Sequence, residues 1–584
     1  MAHVVEFLDS RKGPLTVKVD GLFIHSRYDP QKEADDLAAE YIIPQYCTVI
    51  VLGCGLGYHL RALYEKARPF NSFIVVEPSK EIFDRAFEVN DLSFLQNDKR
   101  VEFFVEKDAQ EIYDSLTNRI LRLMSAQIVV VDLKASLKIF AEYYTPVIAV
   151  IKDAIRLCSA NRNTMVDSGL KVLQNAIYNI PYYVRSVGFK ELTGRFAGVP
   201  AIIVSAGPSL NRNVHLLKQA KGRILIVATD TALKILLKHG VKPDLVFTID
   251  YKAISEAHFK NADHGGVPLV FDIDCANESV AAHGGPYLPF SSQKPFPILI
   301  NSLSEDKGVM NKGMSVAHSI FTALLGLECS PIIFVGQDLS FPGGRSHADG
   351  TDSCKVIGED PEFSGKGMIT IRSEYDGCLL PTRTDMYLYK IHFEKLIRVS
   401  KALCINATEG GAGIKGALPL TLQDVIDRYA RDDIDIDKNI ADVLALADNI
   451  DFSDLSYRMK GIMDNIGTLV TNSEYIISIL DNVFEQIEKN GLDRVYVAEQ
   501  IRKTEHAAGV IQRQEFLLRA LQSQLIEQIM QSEREGLAQP KDFITKDDAE
   551  FIESLREDYK FQKAINEAAG FLKECFEHIK DDLP

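Results

Sequence analysis

Residues 201–210 have the sequence AIIVSAGPSL, and this stretch determines the expected fold of the region around it. Its first four residues are apolar and three of them are β-branched, which is typical of a short buried strand. Gly207 and Pro208 then impose a sharp turn, and a helix is expected to begin near Ser209. A buried strand, a tight turn and a helix form the repeating unit of a parallel α/β sheet.

The same alternation continues over residues 166–425 and predicts one α/β domain there. Further apolar runs lie at residues 224–228, 245–249, 269–273, 298–300 and 332–335. Helical patterns such as TALKILLKHG separate several of them, and Gly240 is expected to end that helix. Strands that alternate with helices in this way form parallel sheets covered on both faces.

Residues 1–165 predict another domain of the same class, with a Rossmann-like sheet. The run TVIVLGCGLG at residues 48–57 precedes the helical pattern YHLRALYEKA, and further strands are expected at 73–77, 101–105 and 127–131. Residues 426–584 differ, because apolar side chains recur there at helical spacing. Three helices are expected, the first from Met459 to Ile487, the second over residues 508–531 and the third from Phe551 to Ile579. The sequence thus predicts two α/β domains and a C-terminal all-α domain.

Composition and charge exclude several classes of protein. The 584 residues include 65 Lys and Arg against 81 Asp and Glu, a formal net charge of −16, so neither nucleic acid nor an anionic membrane is an expected partner. No apolar segment approaches the length of a membrane span, and the first residues contain no signal-like run. The nine cysteines are scattered singly, without a CxxC pair. A cytoplasmic location is expected.

Polar side chains follow the expected strands of the middle domain. They are Ser205, Asp230, Asp250, Asp272, Asp274, Asn301, Gln337 and Asp338. Because ligands bind outside the carboxyl ends of strands in an open parallel sheet, these residues are expected to surround one crevice. Asp also caps helices and starts turns, which explains one or two of these positions but not the whole set.

Two turns and one loop add candidate groups. N–H groups at the turn around Gly207 are suited to bind a phosphate, together with the hydroxyls of Ser205 and Ser209. Gly313 and Ser315 precede another expected helix, whose first N–H groups are also free to bind an anion. His347 lies on the glycine-rich loop that leaves Gln337 and Asp338, and histidine is the usual proton acceptor near neutral pH.

The N-terminal domain has a candidate pocket of its own. Gly53, Gly55 and Gly57 connect a strand to a helix, and Glu77 ends the next strand. Such glycines let a ligand approach the backbone, and the carboxylate suits ribose hydroxyls. This GxGxG spacing resembles the first motif of S-adenosylmethionine-dependent methyltransferases. A turn that simply requires small residues explains it equally well.

A series of motifs in the middle domain resembles one family. VSAGPSL at 204–210, ATDTAL at 228–233, FTID at 247–250, GMSVA at 313–317, GQDLSFPGGRSHA at 336–348 and NATEGGAGIKG at 406–416 occur in that order. Together they are similar to the motility-associated factor (Maf) family of bacterial flagellin glycosyltransferases, whose central domain is similar to bacterial sialyltransferases. The resemblance covers most of the chain and implies a helical C-terminal domain that docks flagellin.

The resemblance implies transfer of a nonulosonic acid, of pseudaminic or legionaminic type, from its CMP-activated form to Ser or Thr of flagellin. By this resemblance, Asp338 and His347 are the candidate catalytic residues, and His347 is the candidate base. His318 and His258 are the alternative candidates for the base. The candidate donor-binding residues are Ser205, Gly207, Ser209, Asp230, Asp250, Asn301, Gly313, Ser315 and Gln337. No essential metal is expected by similarity to sialyltransferases, although the aspartates leave a magnesium-dependent reaction open.

Three alternatives remain at the level of sequence. Archaeal relatives of the central domain resemble pterin pyrophosphokinases, which share a similar SAGPSL turn and transfer diphosphate from ATP. The glycine turn at residues 53–57 leaves a methyltransferase open. A non-catalytic assembly factor that holds flagellin through its C-terminal helices is the third.

Overall fold

The computed structural model describes residues 3–43, 47–67, 71–118, 127–351, 354–356, 367–400, 402–521 and 547–584. Within these ranges the chain forms two compact units. The first comprises Met1–Asp167, Ile477–Lys503 and Ser523–Ala564, and the second comprises Ser168–Ile476, Thr504–Gln522 and Ile565–Pro584. The helices of the C-terminal region contribute to both units, and the division into three domains stays a prediction.

The first unit is built on a four-stranded parallel sheet in the order β6-β5-β4-β7. Val49, Val51 and Val75 of its strands pack in one core with Leu60 and Leu63 of the helix that follows β4. A separate antiparallel sheet has the order β1-β2-β3. The elements up to residue 184 are β1 (Val5–Asp9), β2 (Leu15–Val19), β3 (Leu22–Phe23), α1 (Pro30–Glu40), β4 (Cys47–Leu52), α2 (Tyr58–Glu65), β5 (Ser72–Glu77), α3 (Lys80–Val89), α4 (Ser93–Gln96), β6 (Val101–Val105), α5 (Ala109–Asn118), β7 (Gln127–Asp132), α6 (Lys134–Ile139), α7 (Ala141–Tyr178) and α8 (Ile180–Val184).

The second unit holds a nine-stranded sheet in the order β13-β12-β11-β10-β9-β8-β14-β17-β18, with parallel neighbours throughout. The strand order reverses between β8 and β14. The elements are β8 (Ala201–Val204), α9 (Leu210–Asn213), α10 (Leu217–Ala220), β9 (Leu225–Thr229), α11 (Asp230–Lys238), β10 (Leu245–Thr248), β11 (Leu269–Asp272), α12 (Asn277–His283), β12 (Tyr287–Ser292), α13 (Pro295–Asn301), β13 (Val309–Met310), α14 (Val316–Gly326), β14 (Ile332–Val335), β15 (Met368–Arg372), β16 (Leu379–Arg383), α15 (Thr384–Ser400), β17 (Cys404–Asn406), β18 (Leu418–Pro419) and α16 (Leu422–Tyr429).

Both faces of this sheet are buried. Ile203 and Leu225 pack on one face with residues of α14 and α15, whereas Ile202 and Ile226 pack on the other with residues of α11 and α16. Successive side chains of a strand point to opposite faces, so an uninterrupted apolar strand needs helices on both sides. The predicted fold class, doubly wound α/β with a helical C-terminal region, is confirmed.

The predicted strand at residues 298–300 is wrong. These residues belong to α13, which Pro295 opens at its first position, where a missing N–H costs nothing. The strand of this region is β12, which contains Pro289. The sequence did not predict this strand, because proline is uncommon inside a sheet. Asn301 therefore ends a helix and does not follow a strand.

The C-terminal region is helical, as predicted. Its elements are α17 (Ile436–Leu444), α18 (Leu455–Asn490), α19 (Arg494–Arg513), α20 (Glu515–Ala520) and α21 (Asp548–Ile579). The helix expected over residues 508–531 begins earlier, at Arg494, and its residues after 521 lie outside the described part of the chain. Ile436 and Ile440 of α17 are buried in the core of the nine-stranded sheet. Within the described ranges, no helix combines the length and the apolar character that crossing a membrane requires.

Candidate active site

A cavity of about 380 Å³ lies at the carboxyl ends of β8, β9, β10 and β14. Ligands bind at this edge of open parallel sheets, above all where the strand order reverses. Eight residues predicted from the sequence line the cavity: Ser205, Gly207, Asp230, Asp250, Ser315, Gln337, Asp338 and His347. Most of the candidate site residues predicted from the sequence therefore lie together at this cavity.

Ser205 and Gln337 connect the two strands at the reversal. The hydroxyl of Ser205 donates to Oε1 of Gln337 over 2.7 Å, and the N–H of Gln337 donates to Oγ1 of Thr408 over 3.2 Å. Gly336 lies between β14 and Gln337 with φ +67°, and a Cβ there would overlap the carbonyl oxygen of Ser205. This position needs glycine, because both the dihedral angle and the close approach exclude a side chain.

Asp338 is a deeply buried carboxylate, with 2% of its surface exposed. Its Oδ2 accepts the N–H of Ser209 over 3.1 Å and the hydroxyl of Ser209 over 2.7 Å. Its Oδ1 has no hydrogen-bond partner among the described residues. Burial raises the pKa of Asp338 to about 6, although the bonds from Ser209 and the nearby charge of Arg212 lower it. Asp338 therefore exchanges a proton closer to neutral pH than an ordinary carboxylate.

Asp230 and Asp250 supply two further carboxylates. Asp230 is 3% exposed, and its oxygens accept the hydroxyl of Thr248 and the N–H of Thr231, both over 2.8 Å. Burial raises its pKa, an effect that the nearby His258 partly offsets. Asp250 is half-buried and accepts the N–H of Lys252 over 3.0 Å. The cavity wall is consequently rich in hydrogen-bond acceptors, which suits a ligand with many hydroxyl or amino groups.

Ser315 precedes α14 and forms a relay with His318. Its Oγ lies 2.7 Å from Nδ1 of His318, and Nε2 of His318 lies 3.0 Å from the carbonyl oxygen of Tyr389 on α15. His318 is fully buried and stacks on Phe393 at a centroid distance of 3.7 Å. Burial lowers the pKa of His318 well below its usual value, so the imidazole is neutral.

His347 lines the cavity from the loop after β14. Its Nδ1 lies 3.0 Å from Oγ of Ser346, which also accepts the N–H of Lys355 over 2.8 Å. The N–H of Ala348 donates to the carbonyl oxygen of Ala206 over 2.9 Å. The loop is therefore fixed to the turn after β8, and this places an imidazole beside the carboxylates.

Three of the candidate donor-binding residues do not line the cavity. Ser209 uses its N–H and its hydroxyl on Asp338, so these donors are engaged by the chain itself. Asn301 lies at the end of α13 and not at a strand end. Its Oδ1 accepts the hydroxyl of Tyr183 over 2.6 Å and the N–H of Lys307 over 3.0 Å. The N–H of Gly313 donates to Oγ of Ser319, and a Cβ on Gly313 would overlap His318, which explains the glycine structurally.

Asp272 and Asp274 also lie outside the cavity. Asp272 ends β11 and Asp274 follows it. Lys312 contacts one oxygen of each, at 3.1 Å and 2.6 Å, and Lys294 contacts Asp274 at 2.7 Å. Two buried carboxylates and two ammonium groups balance in charge, so the protein itself neutralises these aspartates.

Part of the cavity wall was not predicted from the sequence. Met386 and Tyr389 come from α15, and Ile254, Ser255 and His258 come from the 3₁₀-helix Ala253–His258 after β10. The sequence suggested His258 only as an alternative candidate for the base. Helix residues such as Tyr389 carry no local signal of a site, since an apolar residue at helical spacing is usually core.

The N-terminal glycine turn is occupied by the chain's own side chains. Gly53, Gly55 and Gly57 all have positive φ, as the turn requires. Oε2 of Glu77 accepts the N–H groups of Cys54 and Gly55 over 2.8 Å and 3.2 Å, and Oε1 accepts the N–H of Ser79 over 3.0 Å. Burial raises the pKa of Glu77 to about 7. The carboxylate that ribose would need is thus bound to the backbone.

His25 fills the space above this turn. Its Nε2 accepts the N–H of Leu56 over 2.8 Å, and a Cβ on Gly55 would overlap the imidazole. The glycines therefore have a structural explanation that requires no ligand, and this geometry does not favour a methyltransferase.

Comparisons with known proteins show what two regions of the chain and its overall fold are similar to. Residues 22–156 match the family model described as the glycosyltransferase Maf N-terminal domain, and residues 174–344 match the model described as 6-hydroxymethylpterin diphosphokinase MptE-like. A solved structure of a MAf glycosyltransferase from Magnetospirillum magneticum AMB-1 has the same fold, with a TM-score of 0.59 and 16% identity over 99% of this chain and 93% of that one. Residues 22–156 thus match the N-terminal domain of Maf glycosyltransferases, and the chain has the fold of a MAf glycosyltransferase.

Curated relatives of this chain occur in Treponema pallidum (strain Nichols) and are described as uncharacterized proteins. One is 21% identical over 350 residues, 58% of this chain, and another is 29% identical over 104 residues, 18% of this chain. The chain spans 59% and 49% of the lengths of these two relatives.

Proposed function

We propose that this protein acts as a Maf-type glycosyltransferase, which transfers a nonulosonic acid, of pseudaminic or legionaminic type, from its CMP-activated donor to Ser or Thr hydroxyls of flagellin. The observation that carries the proposal is the meeting of His347, Asp338 and the start of α14 at one cavity where the strand order reverses. The match of residues 22–156 to the Maf N-terminal domain supports it, and so does the acceptor-rich wall, since a nine-carbon sugar presents many hydroxyls.

The proposed chemistry is a single displacement. The acceptor oxygen attacks the anomeric carbon while the bond from that carbon to the phosphate oxygen breaks, and CMP leaves with the bonding electron pair. His347 takes the proton of the attacking hydroxyl, as its position on the cavity wall allows. Such a displacement inverts the anomeric carbon. The side-chain amide of Gln337 and the imidazole of His258 are the candidate donors to the phosphate.

The carboxylates have separate proposed roles. Asp230 and Asp250 accept hydrogen bonds from sugar hydroxyls, since each lies on the wall with oxygen lone pairs to offer. Burial raises the pKa of Asp338 to about 6, so it is protonated more readily than an ordinary carboxylate, and the charge of a bound anionic donor would favour its neutral form further. Flagellin as the protein acceptor, the absence of nucleic-acid and membrane partners, and a cytoplasmic location belong to the same proposal.

Diphosphate transfer from ATP is the second candidate function. The match of residues 174–344 to the MptE-like model favours it. Such a reaction requires magnesium at the phosphates, and the cavity aspartates offer suitable oxygen ligands. The released nucleotide separates the two candidates, because glycosyl transfer releases CMP whereas diphosphate transfer from ATP releases AMP.

Intact-mass analysis tests the proposal. Flagellin produced with this protein and a CMP-nonulosonate should gain the mass of one or more nonulosonic acid residues, and flagellin produced with the His347→Ala variant should not. Unmodified flagellin with the wild-type protein, in the presence of the donor, contradicts transfer. Retained flagellin binding in that case would identify an assembly factor instead.

A further inference from the structure

We propose that Ser315 selects a nucleotide whose base carries an amino group at C4 of a pyrimidine or C6 of a purine, cytosine rather than uracil, by acting as a hydrogen-bond acceptor whose orientation His318 fixes. This inference rests on the proposed function, because it assigns the base of the nucleotide donor to one end of the same cavity. Ser315 lines that cavity, and His318 lies behind it in the core.

The directions of the hydrogen bonds follow from the chemistry of the partners. The carbonyl oxygen of Tyr389 can only accept, so Nε2 of His318 carries the hydrogen in their 3.0 Å bond. A neutral imidazole then has a lone pair at Nδ1, which accepts the hydroxyl hydrogen of Ser315 over 2.7 Å. The single hydrogen of Ser315 is thus engaged inside the protein, and only oxygen lone pairs remain for a ligand.

The surroundings of Ser315 suit a flat aromatic ring. Val316, Met386 and Tyr389 line the cavity together with Ser315, whereas the carboxylates and amides come from the strand ends. Aromatic rings and methionine side chains pack well on a nucleobase. Tyr389, whose carbonyl oxygen fixes His318, also lines the cavity.

A fixed acceptor distinguishes bases by their edges. The amino groups of cytosine and adenine donate to Ser315, whereas uracil and guanine place a carbonyl oxygen against its lone pairs. The first-turn N–H groups of Val316 and Ala317 have no acceptor within their own helix, and they suit the adjacent ring nitrogen of cytosine or adenine. The proposed CMP donor makes cytosine the expected base, and adenine shares the same chemistry.

Titration calorimetry of the full-length protein with CMP, UMP and AMP tests the assignment. The wild-type protein should bind CMP at least about tenfold more tightly than UMP. Ser315→Ala should reduce this ratio to within about twofold. The matched control is Ser279→Ala, a buried serine of α12 whose Oγ has no hydrogen-bond partner among the described residues, and it should keep the wild-type ratio.

His318→Phe tests the positioning role. With Ser315 still present, its hydroxyl becomes free to rotate and donate, so the preference for CMP over UMP should also be lost. If this variant does not fold, the Ser315→Ala measurement alone decides. The ratio of the dissociation constants for CMP and UMP is informative, because a general loss of stability would weaken the binding of both nucleotides equally.

The outcomes separate this inference from the proposed function. An unchanged ratio in Ser315→Ala overturns the role of Ser315 and leaves CMP-dependent transfer standing. Binding of AMP in preference to CMP overturns the cytosine assignment together with the proposed donor. Failure of the wild-type protein to bind any of the three nucleotides overturns both.

Discussion

One oxygen of Asp338 accepts both the N–H and the hydroxyl of Ser209, a residue 129 positions earlier in the chain. The two residues follow β14 and β8, the strands between which the order of the sheet reverses. The donors of Ser209 that the sequence suggested for a phosphate are bound to a carboxylate of the protein itself. A ligand at this turn must therefore either displace Asp338 or bind beside it.

Asp338→Asn should stabilise the protein at neutral pH. The folded-state pKa of Asp338 is raised to about 6, so ionising it costs stability above that pH, and the cost disappears as the pH falls below the ordinary carboxylate value. We expect the free energy of unfolding to rise by about 2–3 kcal/mol at about pH 8 and by much less at about pH 4. Urea denaturation at the two pH values measures this difference. The exposed Asp448→Asn is the control, and an equal gain in both variants would contradict the prediction.

His347→Ala should lower kcat without weakening nucleotide binding. Loss of a general base typically costs about 10²–10⁴-fold in rate, whereas the loop itself is held by the bond between Ala348 and Ala206. Transfer rates and CMP affinity, measured side by side, separate the two effects. His239→Ala, an exposed histidine after α11, should leave both unchanged. Full activity of His347→Ala across neutral pH would remove this residue from the mechanism.

Lys221→Met should destabilise the second unit. The side chain of Asp244 is fully buried, accepts the N–H of Ile226 over 2.7 Å and pairs with Lys221. Removing the ammonium group leaves a buried carboxylate without its cation, which costs about 2–4 kcal/mol after allowance for the partial exposure of Lys221. Chemical denaturation measures the loss. Lys218→Met, a nearby exposed lysine, should change stability by less than about 0.5 kcal/mol.

Gly55→Ala should destabilise the first unit through His25. A Cβ at this position overlaps the imidazole, and φ of +49° adds the strain of the left-handed region. We expect a loss of about 2–4 kcal/mol, which should fall to about 1 kcal/mol in a His25→Ala background.

Gly21→Ala provides the matched control for this substitution. Its φ is +85° and nothing lies near a Cβ built there, so it isolates the backbone contribution. If Gly55→Ala costs no more than Gly21→Ala, His25 does not fill the turn as described.

The sequence was sufficient to predict the parallel sheets and much of the site. Asp230, Asp250 and Asp338 were found because each follows an apolar run, and a parallel sheet brings such positions to one edge. The error at Asn301 arose because three apolar residues fit a strand and a helix equally well, and Pro295 decided for the helix. Short runs need their flanking residues to be interpreted correctly.

What the sequence could not supply is the pairing of groups distant along the chain. Tyr389 reaches the cavity from a helix that follows β16, and no local pattern distinguishes it from a core residue. The engagement of Ser209 by Asp338 and of Glu77 by the glycine turn depends on tertiary structure alone. Motifs located these residues, and only the geometry showed which of their hydrogen-bonding groups remain available.

The bond between Ser205 and Gln337 also has a consequence for folding. It joins residues 132 positions apart, and contacts of such separation form late because their loop must first close. An intermediate that contains β8 to β13 without β14 and the segments after it would lack nine of the 22 residues that line the cavity. A nucleotide that binds there stabilises only the completed sheet, so saturating ligand should retard unfolding and protect the protein from proteolysis. Ligand occupancy would then report that the two arms of the sheet have assembled.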